Sequence, residues 1–246
     1  MNLHASLNAR CQSPPRGYDL LSFAAALHEA VTRPGDRRLV LNWKCDRAAS
    51  ERHAWLRLYY PGVGALATAE VAGCQSSCVM CWSPRALRHP SPALAAELAA
   101  RPGAGFFTGA EVAERLARLG GTGDDVQQRV TGAEMSLTPQ WALDFYACSL
   151  ALGRRVAVET NALGLGADPA FAAALAALLA ARRERARITS HLLAPTAALF
   201  GVAAGLGPEA YALNMDGIAA LHASGCEHHL VLLAWLPCHG EGLEGQ

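Results

Sequence analysis

Lysine is nearly absent from this 246-residue chain: Lys44 is the only one, and every other basic residue is arginine. A surplus of either charge is absent too, since 21 basic residues balance 21 acidic ones. That balance excludes a grip on nucleic acid or anionic membrane by net charge, though not a local patch. Long apolar runs are missing. Phe171–Ala181 and Leu230–Leu236 are too short to span a bilayer. Met1 to Arg16 is polar and lacks the apolar stretch of a secretory leader, so the chain reads as cytoplasmic, with no membrane partner. No repeat of fixed period and no long linker interrupts it. Asp124-Asp125 follows Gly-Gly-Thr-Gly without any Gly-Lys-Ser/Thr, which excludes a phosphate loop of that type. What is present is apolar: 52% of residues against 17% charged, which excludes a disordered chain.

The apolar residues are ordered by period. Tyr18 to Thr32 spaces Leu20, Leu21, Phe23, Leu27 and Val31 as an amphipathic helix, stopped by Arg33-Pro34-Gly35-Asp36. Arg38–Asn42 and Ala54–Tyr60 read as short strands. From residue 66 strands alternate with helices. Strands are expected at Leu66–Val71, Val126–Thr131, Arg155–Glu159, Ala186–Ser190 and His229–Leu236. Thr108-Gly109-Ala110-Glu111 is a capping box that opens a helix through Leu119. Thr138-Pro139 and Asp168-Pro169 each set an N-cap before a first-turn proline, for helices to about Leu152 and Ala181. Pro195–Ala204 and Pro208–Ala223 are helical in pattern. This alternation predicts an α/β fold with a parallel sheet of about five βα units. The sheet is either open and doubly wound or part of a (β/α) barrel, with ligands at the C-terminal strand ends in both cases. Residues 1–60 form an N-terminal extension packed on a core at 61–246.

The first loop of that series is the most informative. Gly73-Cys74-Gln75-Ser76-Ser77-Cys78-Val79-Met80-Cys81-Trp82 spaces three cysteines as C-x3-C-x2-C. Eight cysteines in a reducing compartment read as thiols, metal ligands or catalytic groups. Three within eight residues argue against unrelated core thiols. Structural zinc wants four ligands; Cys45, His89 or Cys238 would have to supply the fourth, and none forms a C-x2-C partner. An iron–sulfur cluster held by three cysteines leaves one iron open to a ligand that is not protein. Cys148 and Cys226 read as buried thiols. His228-His229 and His239 read as surface or strand-edge residues. No second cluster motif is visible.

A C-x3-C-x2-C loop directly after the first strand of a βα series resembles the radical S-adenosylmethionine (radical SAM) superfamily. Thr131-Gly132-Ala133-Glu134-Met135, after the next strand, is similar to that superfamily's Gly-Gly-Glu-Pro segment. Val158-Glu159-Thr160-Asn161, with Gly164 beyond, looks like the Glu/Asp-Thr-Asn-Gly segment of its activating-enzyme-like branch. Tyr60-Pro61-Gly62 and Cys81-Trp82-Ser83 also resemble that branch, and the likeness covers about residues 55–236.

The resemblance implies a partial, open (β/α) barrel, short of the last unit of the full one. It implies a four-iron, four-sulfur (4Fe-4S) cluster on Cys74, Cys78 and Cys81, with S-adenosylmethionine (SAM) on the open iron. One electron, from a flavodoxin- or ferredoxin-type donor, then splits SAM to a 5′-deoxyadenosyl radical. That radical takes hydrogen from a substrate the residues do not identify; a protein substrate, as in glycyl-radical activation, is one class the branch implies. Met80 is implied near the adenine, and Gly132, Ala133 and Glu134 beside the methionyl amino group. Asn161 with Thr160, and Ser190 with His191, are implied as further polar contacts to SAM. Each has a plainer reading: Met80 packs on the core, Glu134 is a solvated acid before a helix, Asn161 is a turn residue, and His191 is structural. Ala133 and Met135 depart from the superfamily's pattern. At positive φ, Ala133 would cost about 1 kcal/mol. Two other classes stay open: a cluster-bearing redox or binding protein without SAM cleavage, and a zinc-stabilised α/β binding module.

Overall fold

A computed structural model describes residues 20–46, 65–79, 81–83, 85–121 and 126–232. The strand expected at Ala54–Tyr60, and Cys11, Met80, Cys238 and His239, lie outside the described residues. The chain runs α1 (Leu20–Val31), β1 (Thr32–Arg33), β2 (Arg37–Asp46), β3 (Ala65–Val71), α2 (Arg85–Arg88), α3 (Pro92–Ala99) and β4 (Gly105–Phe107). It continues α4 (Gly109–Gly120), β5 (Val126–Thr131), α5 (Pro139–Ala151), β6 (Arg155–Thr160), α6 (Leu163–Ala167) and α7 (Pro169–Ala180). The described chain closes with β7 (Ala186–Leu192), α8 (Ala197–Ala204), α9 (Ala210–His222) and β8 (Glu227–Leu232).

The strands form one eight-stranded, mostly parallel sheet. β3, β5, β6, β7 and β8 lie side by side in chain order and run parallel. Their order never reverses, so this run of strands has no topological switch point of the doubly wound kind. On the other flank of β3 lies β2, antiparallel, which also carries β1 and β4.

Alternation along the strands separates two faces. Ala67, Ala69 and Val71 of β3, Val130 of β5, Val156 and Val158 of β6 and Ile188 of β7 face one way. There they bury against Val112 and Leu116 of α4, Phe145 of α5, Leu175 of α7 and Leu221 of α9. Their neighbours in sequence, Thr68, Glu70, Arg129 and Glu159, turn to the opposite face and line a cavity.

Capping explains most of the helix starts. Thr108 accepts from the Glu111 amide at 3.1 Å, and the Glu111 carboxylate accepts from the Thr108 amide at 2.8 Å. Arg37 of β2 then grips the same carboxylate with both terminal nitrogens, each at 3.0 Å. Thr108→Ala is expected to cost about 1 kcal/mol in a denaturant melt, as the loss of an N-cap does elsewhere. Asp168 caps α7 in the predicted way, its carboxylate accepting from Phe171 at 3.0 Å. Thr138 does not. α5 begins at Pro139, but the Thr138 side chain makes no cap bond and turns instead to Arg38. Sequence reasoning assigns no element between Cys81 and Thr108, where the structure has α2, α3 and β4. The Ser91-Pro92 cap of α3, with Ser91 accepting from Leu94, is the signal that would have found the second of these.

One close approach sets the rim of the site. α6 and α9 meet through glycines: a Cβ on Gly217 would lie 2.1 Å from the Ala162 carbonyl oxygen, and one on Gly166 2.0 Å from that of Leu213. Gly217→Ala is therefore expected to push α9 outward and lower stability by about 2 kcal/mol, read by chemical denaturation.

Candidate functional site

The loops after β3, β5, β6 and β7 open into one cavity of about 770 Å³ at the C-terminal ends of these strands. Cys74, Cys78 and Cys81 line it, as do Gly132, Ala133, Glu134, Thr160, Asn161 and His191. The structure thus brings together the cysteine loop, the Gly-Ala-Glu turn and the Thr-Asn turn. Ser190 is not brought in. It faces the helix side of the sheet, where its hydroxyl meets Nε2 of His228 at 2.9 Å.

The cysteine loop is held at both ends by backbone bonds. Gly73 and Cys74 donate to the carbonyls of Leu87 and Arg88 of α2, and Ser77 and Val79 donate to Ala204 and Ala203 of α8. Gly73 makes the turn out of β3 at φ +92°, and a Cβ there would strike Leu137 at 2.7 Å. Inside the loop the Ser76 hydroxyl stands between two sulfurs, 3.3 Å from Cys74 Sγ and 3.4 Å from Cys78 Sγ. His89 is fully buried and its Nε2 contacts the Ser76 carbonyl at 3.1 Å. Burial, then the neighbouring Cys78 and Glu134 charges, pushes the Cys74 thiol up to about 12. Burial also raises Cys78, partly offset by Ser76. Both are protonated near neutral pH unless a cationic group holds them as thiolates.

Glu134 is not solvated: only 3% of it is exposed. Its Oε1 accepts from the Ser136 amide at 2.9 Å and from the Thr160 hydroxyl at 2.6 Å, and its Oε2 from the Asn161 amide at 2.8 Å. The carboxylate braces the turn after β5 against the turn after β6. Asn161 reaches the cysteine loop, its Nδ2 lying 3.3 Å from Ser76 Oγ and 3.8 Å from Cys74 Sγ. Gly132 takes φ +90°, while Ala133 is not among the residues with positive φ, so the expected backbone cost at Ala133 does not arise. The left-handed position falls instead on Ala162, at φ 58°.

Two residues of the site escape sequence reasoning. Asn214 of α9 is fully buried, and its Nδ2 donates to the carbonyls of Asn161 at 2.6 Å and His191 at 3.0 Å, which ties the ends of β6 and β7 together. Arg38 of β2 is fully buried beneath the cysteine loop. Its Nη2 donates to the carbonyls of Ala72 (3.0 Å), Gly73 (3.2 Å) and Glu134 (2.6 Å). Its Nη1 donates to the Met135 carbonyl (3.2 Å) and the Thr138 hydroxyl (2.7 Å). Burial lowers Arg38 to about 10, which leaves it charged at neutral pH. Their only trace in the sequence is an asparagine between Leu213 and Met215 and an arginine just before the apolar run Leu39-Val40-Leu41.

The floor of the cavity is the polar face of the sheet. Lys44 pairs with Glu70 across β2 and β3. Arg129 pairs with Glu159 across β5 and β6 at 3.2 Å.

Among the described residues, no three His, Cys, Asp or Glu side chains gather as a group able to hold one metal ion. A single tetrahedral zinc would draw its sulfurs to about 3.8 Å of one another. A cluster with a separate iron for each thiolate spreads them wider. Of the fourth zinc ligands considered from the sequence, Cys238 lies outside the described residues, His89 bonds to the Ser76 carbonyl, and alternation along β2 turns Cys45 away from the cavity that Lys44 and Asp46 line. Three thiols line one cavity, with the Ser76 hydroxyl beside the sulfurs of Cys74 and Cys78 and the Asn161 amide beside that of Cys74. No protein-family model matches the chain, and no curated protein matches it.

No helix among the described residues is long and apolar enough to cross a membrane.

Proposed function

We propose that the chain is a radical SAM enzyme whose sheet is an open, partial (β/α) barrel and whose cavity holds a 4Fe-4S cluster and SAM. The observation that carries this reading is the convergence of the three cysteines, the Gly132–Glu134 turn and Asn161 on one cavity at the C-terminal strand ends. The unreversed order of the parallel strands, with helices packed on one face, supports the barrel. Cys74, Cys78 and Cys81 would hold the cluster. Bound there, the cluster would supply one electron for reductive cleavage of SAM, the chemistry that leads to hydrogen abstraction from a substrate.

The remaining residues act by position. Ser76 and Asn161 set hydrogen-bonding groups beside the sulfur of Cys74. Gly132 lines the cavity at φ +90°, a backbone conformation that glycine adopts without strain. His191 lines the same cavity. A flavodoxin- or ferredoxin-type protein would deliver the electron. The test is anaerobic reconstitution with iron and sulfide, then incubation with dithionite and SAM. Formation of 5′-deoxyadenosine is the expected result.

A second reading is a cluster protein that does not cleave SAM. It is favoured by Glu134, whose carboxylate is already engaged by three protein donors and so offers little to a SAM ammonium group. Cluster formation without deoxyadenosine would select it.

A further inference from the structure

A fully buried arginine is costly unless its charge is answered. Among the described residues no carboxylate forms an ion pair or hydrogen bond with Arg38. Four backbone carbonyls and one hydroxyl answer it instead, and they belong to two loops. Ala72 and Gly73 lead into Cys74. Glu134, Met135 and Thr138 follow the Gly132 turn. The guanidinium also lies over the Trp141 ring, 5.5 Å from its centroid, while its Nε is buried with no hydrogen-bond partner among the described residues. A rigid planar fork spans both loops at once, and the point charge of a lysine cannot do the same.

We propose that Arg38 is the positioning residue of the cysteine site. It fixes the first cysteine against the Gly132–Glu134 turn, and its buried charge favours the reduced state of the group that Cys74 holds. The first part stands on the protein alone. The second rests on the proposed cluster. It follows because Gly73, which Arg38 contacts at 3.2 Å, immediately precedes Cys74. A fixed positive charge so near a cluster raises its reduction potential.

The experiment starts with metal-free protein. Alkylation of Cys74 by iodoacetamide is followed by peptide mass spectrometry, with buried Cys226 as the internal measure of global unfolding. Cys74 lines the cavity with 9% of its surface exposed, so it reacts slowly while its loop is held; Arg38→Met and Arg38→Lys are each expected to speed its alkylation about tenfold or more while Cys226 keeps its rate. Thr138→Val, which removes one of the five acceptors, keeps the protein testable where Arg38→Met does not fold, and is expected to give a smaller acceleration. Unchanged Cys74 reactivity in Arg38→Lys, or equal acceleration of Cys74 and Cys226 in every variant, would overturn the positioning role.

In protein that has taken up iron, the midpoint potential titrated with dithionite is expected to fall in Arg38→Met and to stay closer to the wild-type value in Arg38→Lys. Equal potentials in all three proteins would overturn the electrostatic part. Wild-type protein that takes up no iron would refute the proposed function and leave the alkylation result standing.

Discussion

The Cys74→Ala/Cys78→Ala/Cys81→Ala protein is expected to stay colourless after anaerobic reconstitution, whereas the wild type takes up about four irons per chain with matching acid-labile sulfide. The wild-type brown absorbance should bleach with dithionite and the variant should show none. The variant should nonetheless fold. The loop is fixed by backbone bonds from Gly73, Cys74, Ser77 and Val79, and none of those needs a sulfur. Losing the partly exposed thiols of Cys78 and Cys81 and the buried one of Cys74 removes little apolar area. Unfolding midpoints of the metal-free proteins should therefore lie close together while iron content differs completely. A wild type that binds one zinc and no sulfide would sink the cluster and leave a structural metal module.

Glu134→Ala is expected to have the largest effect on stability. Its carboxylate satisfies two backbone amides and one hydroxyl inside the protein. Removing it leaves three buried donors without their acceptor, at about 3–5 kcal/mol in total. For a chain of this size the melting temperature should fall by roughly 6–20 °C. Glu134→Gln keeps one acceptor oxygen and should lose about half as much. Differential scanning calorimetry on metal-free protein decides the point. A change below about 0.5 kcal/mol, as for a solvated surface acid, would show that the brace does not carry the load assigned to it.

The sequence made the periodic parts of this fold legible. β5 is expected at Val126–Thr131 and observed at the same residues, where the two β-branched valines, Val126 and Val130, both fall on the buried face. The capping box at Thr108 and the Asp168-Pro169 start were readable because both act within four residues. Thr138-Pro139 shows the limit. The same local signal was present, but a buried guanidinium from β2 took the hydroxyl. The cysteine loop was legible as a motif, and its neighbours Gly132 and Asn161 by their order along the chain. The roles of Glu134, Asn214 and Arg38 were not legible. Each acts through partners that only the assembled sheet supplies, and hydrophobic period carries no record of which carbonyl a buried side chain will meet.

Arg38 also bears on the order in which the molecule is made. Its acceptors lie 34 to 100 residues further along the chain. When Arg38 is synthesised neither loop that the guanidinium will join exists, so the charge stays in water while β3, α4 and β5 are made. The clamp closes only after Thr138 has emerged, and the cysteine loop acquires its fixed shape with it. Domains with such distant contacts fold late relative to their synthesis. On the proposed function, metal loading would be deferred until most of the sheet exists, and a nascent chain cut short before α5 would carry the three thiols without the frame that arranges them.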